Sequence, residues 1–276
     1  MRYCEEYENI STSDWVFGVN RKNIEKQFDR KIEAFGIRIK DEDQLKVRQD
    51  VFDENTLLAL YRLANRRVIS SIGGAISTGK EANIFIGERG DQSIVIKIYL
   101  VRTANFKAMT EYLDGDPRFS LSRRNRKEIV FAWTRKEFSN LKRADEAGIP
   151  VPTPFDFDRN ILIMRFLGEN DQPFPQLRNA AMEDPDATYQ IVIGYMNDLL
   201  KKARLIHADL SEYNILYGGI PYLIDMGQSV TIDHPRAFQF LKRDIANINR
   251  FFSNYCTVIE ERDIFAQITE GVIQEP

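Results

Sequence analysis

The stretch Leu205-Ile206-His207-Ala208-Asp209-Leu210-Ser211-Glu212-Tyr213-Asn214-Ile215-Leu216, followed by Leu223-Ile224-Asp225-Met226-Gly227, restricts this chain more than any other. Asn214 follows Asp209 by five residues, Asp225 follows Asn214 by eleven, and each adjoins an apolar, strand-like run. Residues 215–217 and 222–224, joined by Gly218-Gly219-Ile220-Pro221, predict a short hairpin. That hairpin sets Asn214 and Asp225 side by side at one end. One carboxylate at an attacking nucleophile, with an amide oxygen and a second carboxylate on a metal, is the donor set of phosphoryl transfer from ATP. Taken singly, Asp209 and Asn214 read as turn residues and Asp225 as a strand cap. Their order and spacing together favour the nucleotide reading.

The upstream half supplies what such a site still lacks. Residues 93–100 predict a strand with Ile94, Ile96 and Ile98 on one face and Val95, Lys97 and Tyr99 on the other. A lysine inside so apolar a strand is costly without a counter-charge. A snorkelling edge lysine is the bland explanation; a grip on the α- and β-phosphates is the functional one. Residues 126–147 predict a helix stopped by Gly148-Ile149-Pro150, with Val130, Trp133, Glu137, Leu141 and Ala144 on one stripe. Glu137 is thus the expected partner of Lys97, and Glu128 lies off the stripe near the start of the helix. Gly74 and Gly79-Lys80 have Walker A spacing, but Glu81 stands where a hydroxyl is needed, and strand rather than helix follows. A loop between antiparallel strands, lying over phosphates, fits better.

The remaining segments set the frame. Residues 1–67 predict a helical extension, with one helix near Ile24, Phe28, Ile32 and Phe35 and a stronger one over 53–67. Nothing there favours a DNA-binding helix-turn-helix. Residues 68–167 read as an antiparallel sheet plus one helix, interrupted by a polar, mobile connection over about 103–124. Residues 168–276 read as a second, mainly helical lobe, with helices over 187–204 (apolar face Ile191, Ile193, Met196, Leu199 and Leu200), 236–249 and the last 25 residues. The fold class expected is α+β. Charge enters at one point: a net −3 argues against coating nucleic acid, although Ser122-Arg123-Arg124-Asn125-Arg126-Lys127 forms a local basic run. Two cysteines and two histidines leave no disulfide framework and no Cys- or His-based metal centre. No apolar run is long enough to span a membrane and no signal-peptide pattern opens the chain, so a soluble, cytoplasmic protein is expected.

Ser77-Thr78-Gly79-Lys80-Glu81-Ala82-Asn83, the octapeptide from His207 to Asn214, and Ile224-Asp225-Met226-Gly227-Gln228-Ser229-Val230 resemble the RIO family of atypical serine/threonine protein kinases. The likeness runs from about residue 50 to 252 and is strongest to the type-one branch. It implies a reduced, two-lobed kinase fold without activation segment or peptide-binding helices. It also implies binding of ATP with Mg2+ or Mn2+, autophosphorylation, other protein substrates, and work on the pre-ribosomal small subunit, with its RNA and proteins as partners. Position by position, it makes Asp209 the catalytic base, Asn214 and Asp225 metal ligands, and Lys97 the phosphate lysine with Glu137 beside it. Ser77 and Lys80 fall in the phosphate loop. The order of strands in a two-lobed kinase puts Met164 behind the adenine, with Arg165 and Leu167 reading the base through their backbone. Arg165 departs from the family pattern, which has an acidic residue there. The chain offers little platform for a peptide, and the resemblance implies ATPase activity beside kinase activity, with an aspartyl-phosphate at Asp225 as an intermediate. A kinase-like small-molecule phosphotransferase and an ATP-holding scaffold are the rival readings.

Overall fold

The computed structural model describes the strand Arg38–Ile39 and residues 53–119 and 125–272. The helix expected near residues 24–35 and the start of the basic run at 122–124 lie outside the described residues. Six strands form one sheet in the order β1-β2-β3-β4-β6-β5. They are β1 (Arg38–Ile39), β2 (Ser71–Thr78), β3 (Ala82–Arg89), β4 (Gln92–Tyr99), β5 (Pro154–Asp158) and β6 (Ile161–Arg165). β1 joins β2 in parallel, and every other pairing is antiparallel.

The period-two alternation along β4 sorts its side chains as the sequence implies. Ile94, Ile96 and Ile98 pack with Ala59, Leu60 and Leu63 of helix α1 (Glu54–Asn65), which closes the outer face of the sheet. Asp53 starts α1 by accepting from the Thr56 N–H at 2.8 Å. Arg62 of α1 then grips Asp158 on β5 through two bonds of 2.7 and 2.5 Å. Val95 and Tyr99 point the other way, into the large apolar cluster shared with the remaining helices.

Between β4 and the next long helix the chain does not merely connect. Residues 106–114 form helix α2 (Phe106–Asp114), whose Met109, Tyr112 and Leu113 are buried. Their i, i+3, i+4 spacing makes an apolar stripe on a segment whose average composition is polar, which is why composition alone suggested a mobile connection without a helix. Tyr112 stacks on Phe240, with centroids 5.3 Å apart. Helix α3 (Arg126–Glu146) follows, capped by Asn125, and buries Val130, Trp133, Glu137, Leu141 and Ala144 as its stripe requires.

After β6 come a small hairpin, β7 (Gly168–Glu169) with β8 (Gln172–Pro173), and helix α4 (Pro185–Lys201). The α4 core face holds Val192 rather than Ile191, which is 37% exposed. Counting from Tyr189, the face runs 192, 193, 196, 199, 200, and Ile191 falls off it. Strand β9 (Leu205–Ile206) pairs with β12 (Val230–Thr231), and β10 (Ile215–Tyr217) with β11 (Pro221–Leu223). Helices α5 (Ala237–Phe252) and α6 (Glu261–Thr269) complete this half. Only β12 and a turn separate Gly227 from α5, so no activation segment intervenes. Among the described residues no helix is long and apolar enough to cross a membrane.

Candidate active site

Lys97 sits mid-way along β4, paired to Ile84 and Leu162, and is only 6% exposed. Its Nζ lies 2.8 Å from Glu137 Oε1 on α3 and 2.8 Å from Asp225 Oδ1 beyond β11. The lysine therefore ties the sheet, the helix and the far half of the molecule together. Burial works against its charge, but Asp225 and Glu137 overcome that and hold its pKa well above the ordinary lysine value. Glu137 is fully buried, and burial raises its pKa against the pull of Lys97. Tyr99, two residues along the same strand face, donates its hydroxyl to Glu137 Oε2. The carboxylate thus has a partner on each oxygen. Asp225 is different: half its side-chain surface is open, and the Lys97 charge lowers its pKa.

A second cluster adjoins the first. The Ile224 N–H donates to the Asn214 carbonyl at 3.0 Å, so the β10–β11 hairpin does place Asn214 next to Asp225. Asn214 Nδ2 donates to the Asp209 carbonyl at 2.8 Å and to Asp209 Oδ2 at 3.2 Å. Gln228 Nε2 reaches the same Oδ2 at 2.9 Å. Both of these side-chain donors fall on Oδ2. Burial raises the Asp209 pKa, and the Asp225 charge adds to the rise.

The backbone at this site is strained and held. Ala208 and Asp225 both have left-handed φ values, 66° and 62°. Such conformations cost non-glycine residues about 1–3 kcal/mol and persist only where their surroundings fix them. Asp244, buried on α5, accepts the N–H groups of Ala208 at 2.8 Å and Leu210 at 3.0 Å. Arg243 donates to the Ala208 carbonyl. His207 Nε2 bonds the Ile224 carbonyl at 3.0 Å and links the Asp209 loop to the Asp225 strand. Burial drops the His207 pKa to about 4, so the ring is neutral at physiological pH and donates through Nε2.

Lys97, Glu137, Asp209, Asn214 and Asp225 are therefore brought together. Ser77 and Lys80 are not: both are exposed at the β2–β3 turn, and no hydrogen bond or ion pair among the described residues joins their side chains to the cluster. Glu81 in that turn feels the site's charge, with a pKa raised by burial and by Asp225. Met164 is buried on β6 opposite Val95, and Arg165 is exposed. The Leu167 carbonyl accepts the Phe174 N–H at 3.0 Å. Asp244, Gln228 and Arg243 escaped the sequence reading. No spacing rule marks them, because each acts on a segment it meets only through tertiary packing. Tyr99 did carry a signal, its phase with Lys97 on β4.

A family model described as the RIO domain matches residues 83–264. The chain belongs to the RIO family. A RIO-type serine/threonine-protein kinase Rio1 from Haloferax volcanii is 43% identical over 91% of the chain and 85% of its own length. The human serine/threonine-protein kinase RIO1 is 38% identical over 99% of this chain, which spans about half (49%) of that relative. A solved Rio2 kinase from Chaetomium thermophilum aligns with TM-score 0.58 at 26% identity, over 76% of this chain and 66% of that one. A second structure of that kinase, an ADP/Mg2+-phosphoaspartate complex, aligns with TM-score 0.60 at 24% identity, over 88% and 75%. This RIO kinase is an ATP-dependent phosphotransferase of the protein-kinase class, with the type-one relatives among its kin. Its fold is the reduced, two-lobed kinase fold.

The donor set suits magnesium. Asn214 uses its Nδ2 on Asp209, which keeps Oδ1 out of those bonds, and the Asp225 side chain is half exposed. Magnesium takes oxygen ligands and is commonly held by one or two protein groups, with phosphates and waters completing its shell.

Proposed function

We propose that this RIO kinase binds ATP between Lys97 and the Asp209–Asn214–Asp225 cluster and transfers its γ-phosphoryl group. The observation that carries this reading is the Lys97 Nζ held at 2.8 Å from both Glu137 and Asp225, beside the hydrogen-bonded Asp209–Asn214 pair. Lys97 is the cation for the α- and β-phosphates, and Glu137 keeps it aimed. Asn214 Oδ1 and Asp225 are the groups that hold Mg2+, which neutralises charge on the β- and γ-phosphates when bound. Mn2+ fits the same oxygen donors. Met164 backs the adenine, and the backbone of Arg165 and Leu167 reads its edge. Ser77 and Lys80 reach the phosphates from the β2–β3 turn.

We propose two fates for the phosphoryl group. A serine hydroxyl, on another protein or on this chain, can give its proton to Asp209 as its oxygen attacks Pγ, the bond from Pγ to the bridging oxygen breaks and ADP leaves. Alternatively, an Asp225 carboxylate oxygen attacks Pγ, the bond from Pγ to the bridging oxygen breaks, and ADP leaves. Water then hydrolyses the acyl phosphate, and the net reaction is ATP hydrolysis. The open half of Asp225 supports the second route, as does the phosphoaspartate in the Rio2 relative. Turnover of this kind suits a cytoplasmic factor that leaves a maturing small ribosomal subunit once ATP is spent. The test is single-turnover labelling with γ-labelled ATP. Hydroxylamine-labile label that disappears in Asp225→Asn supports the aspartyl-phosphate. Acid-stable phosphoserine as the only product rejects it.

A further inference from the structure

Helix α3 does more than present Glu137. One residue before it, Lys136 is fully buried, and four residues further on so is Asn140. Both turn to the loop that follows Asp225. Lys136 Nζ donates to the Gly227 carbonyl at 2.9 Å and to the Ser229 carbonyl. Asn140 Nδ2 donates to the carbonyls of Met226 and Ser229, both at 2.8 Å. The amide is oriented from its other side, because Arg118 Nη2 donates to Asn140 Oδ1 at 2.8 Å. Arg118 in turn is forked onto buried Asp116. The loop is also pressed flat: a Cβ on Gly227 would lie 2.9 Å from Trp133 Nε1.

Among the described residues no carboxylate lies in salt-bridge range of Lys136, and a buried lysine so placed is costly in a helix core. Among the described residues both hydrogen bonds of the Lys136 amine go to this loop, and either protonation state can donate to two carbonyls. Burial brings its pKa down to about 7, with Asp116 opposing the fall. What the loop needs is restraint, since Asp225 at its head has the left-handed φ of 62°. We propose that Lys136 and Asn140 are positioning residues for Asp225, holding residues 226–229 from behind so that its carboxylate faces Lys97 and Asn214. One helix then fixes both ends of the Lys97–Asp225 pair. Glu137 sets the lysine, and Lys136 with Asn140 sets the aspartate.

This inference rests on the proposed Mg-ATP site, and its test separates the two. Binding of a non-hydrolysable ATP analogue is measured by calorimetry, with Mg2+ and with a chelator, on the wild-type chain, Lys136→Met, Asn140→Ser and Gly227→Ala. Melting temperatures are taken alongside. Metal-free affinity depends on Lys97 and the adenine contacts and is expected to stay within about 3-fold, since each tenfold is about 1.4 kcal/mol of binding. The Mg2+-dependent gain in affinity is expected to fall at least tenfold in each variant. Equal losses with and without Mg2+, tracking the melting temperature, would reduce the residues to a structural role and overturn the inference. So would an unchanged Mg2+ gain. If the wild-type chain itself shows no Mg2+ gain, the site reading fails and the inference with it. Should Lys136→Met not fold, Asn140→Ser and Gly227→Ala carry the same test.

Discussion

Glu137→Gln separates charge from shape at the centre of the site. Glutamine keeps an oxygen for Lys97 Nζ, now at 2.8 Å, and turns an NH2 group toward the Tyr99 hydroxyl, which can accept instead of donate. The number of hydrogen bonds is conserved and only the charge is lost. Charge-assisted bonds are roughly twice as strong as neutral ones. Exchanging two of them costs about 1–1.5 kcal/mol each, or about 2–3 kcal/mol together. At ~2–4 °C per kcal/mol for a domain of this size, the melting temperature falls by roughly 4–12 °C. The functional loss is of similar size but has a separate cause. Lys97, no longer shared, pairs wholly with Asp225, the carboxylate the metal requires. ATP must then compete with an undivided ion pair, and kcat/KM for ATP falls about 100-fold, equivalent to ~2.7 kcal/mol. Thermal melts and steady-state ATP consumption on one preparation read both numbers. A variant with wild-type melting temperature and kcat/KM within threefold would refute the claim that Glu137 sets the lysine.

Three further outcomes follow from the same contacts. Asp244→Ala strands the N–H groups of Ala208 and Leu210 in the interior, so stability falls by about 2–6 kcal/mol at ~1–3 per buried donor, with kcat falling more than KM rises; denaturant titration and initial rates check it. Gln228→Leu removes one of the two side-chain donors on Asp209 Oδ2 and should lower kcat about tenfold with ATP affinity unchanged, as steady-state kinetics would show. His207 gives a pH signature: its pKa is about 4 in the folded chain, against about 6.5 unfolded, so the unfolded state binds the extra proton in that window. Its contribution is fully present above pH 6.5 and is lost as pH falls toward 4, at most about 3.5 kcal/mol by ~1.4 per pH unit. Urea midpoints of the wild type and His207→Gln, measured from pH 7.5 to 4.5, should converge as pH falls.

How much of this was legible beforehand depended on whether a residue acts through local chain geometry. Lys97 was readable because strand alternation fixes its face, and Glu137 because a helical stripe fixes its own. Asn214 and Asp225 meet because two glycines and a proline close a short hairpin between them. Helix α2 was missed because three buried residues are too few to colour a polar segment. Asp244, Gln228, Lys136 and Asn140 were missed for another reason. Each satisfies backbone groups or a carboxylate on a segment distant in sequence, and no periodicity records such a debt. Ser77 and Lys80 are the reverse case, since the motif names them while their side chains stand apart from the cluster.

The convergence of Lys97, Asp209, Asn214 and Asp225 on one triphosphate is tested most directly by a crystal structure with Mg2+ and a non-hydrolysable ATP analogue. The account predicts Lys97 Nζ transferred from Asp225 to the α- and β-phosphates, with one Mg2+ bridging Asn214 Oδ1, Asp225 and the phosphate oxygens. Phosphates bound elsewhere, with the Lys97–Asp225 pair still closed at 2.8 Å, would contradict it.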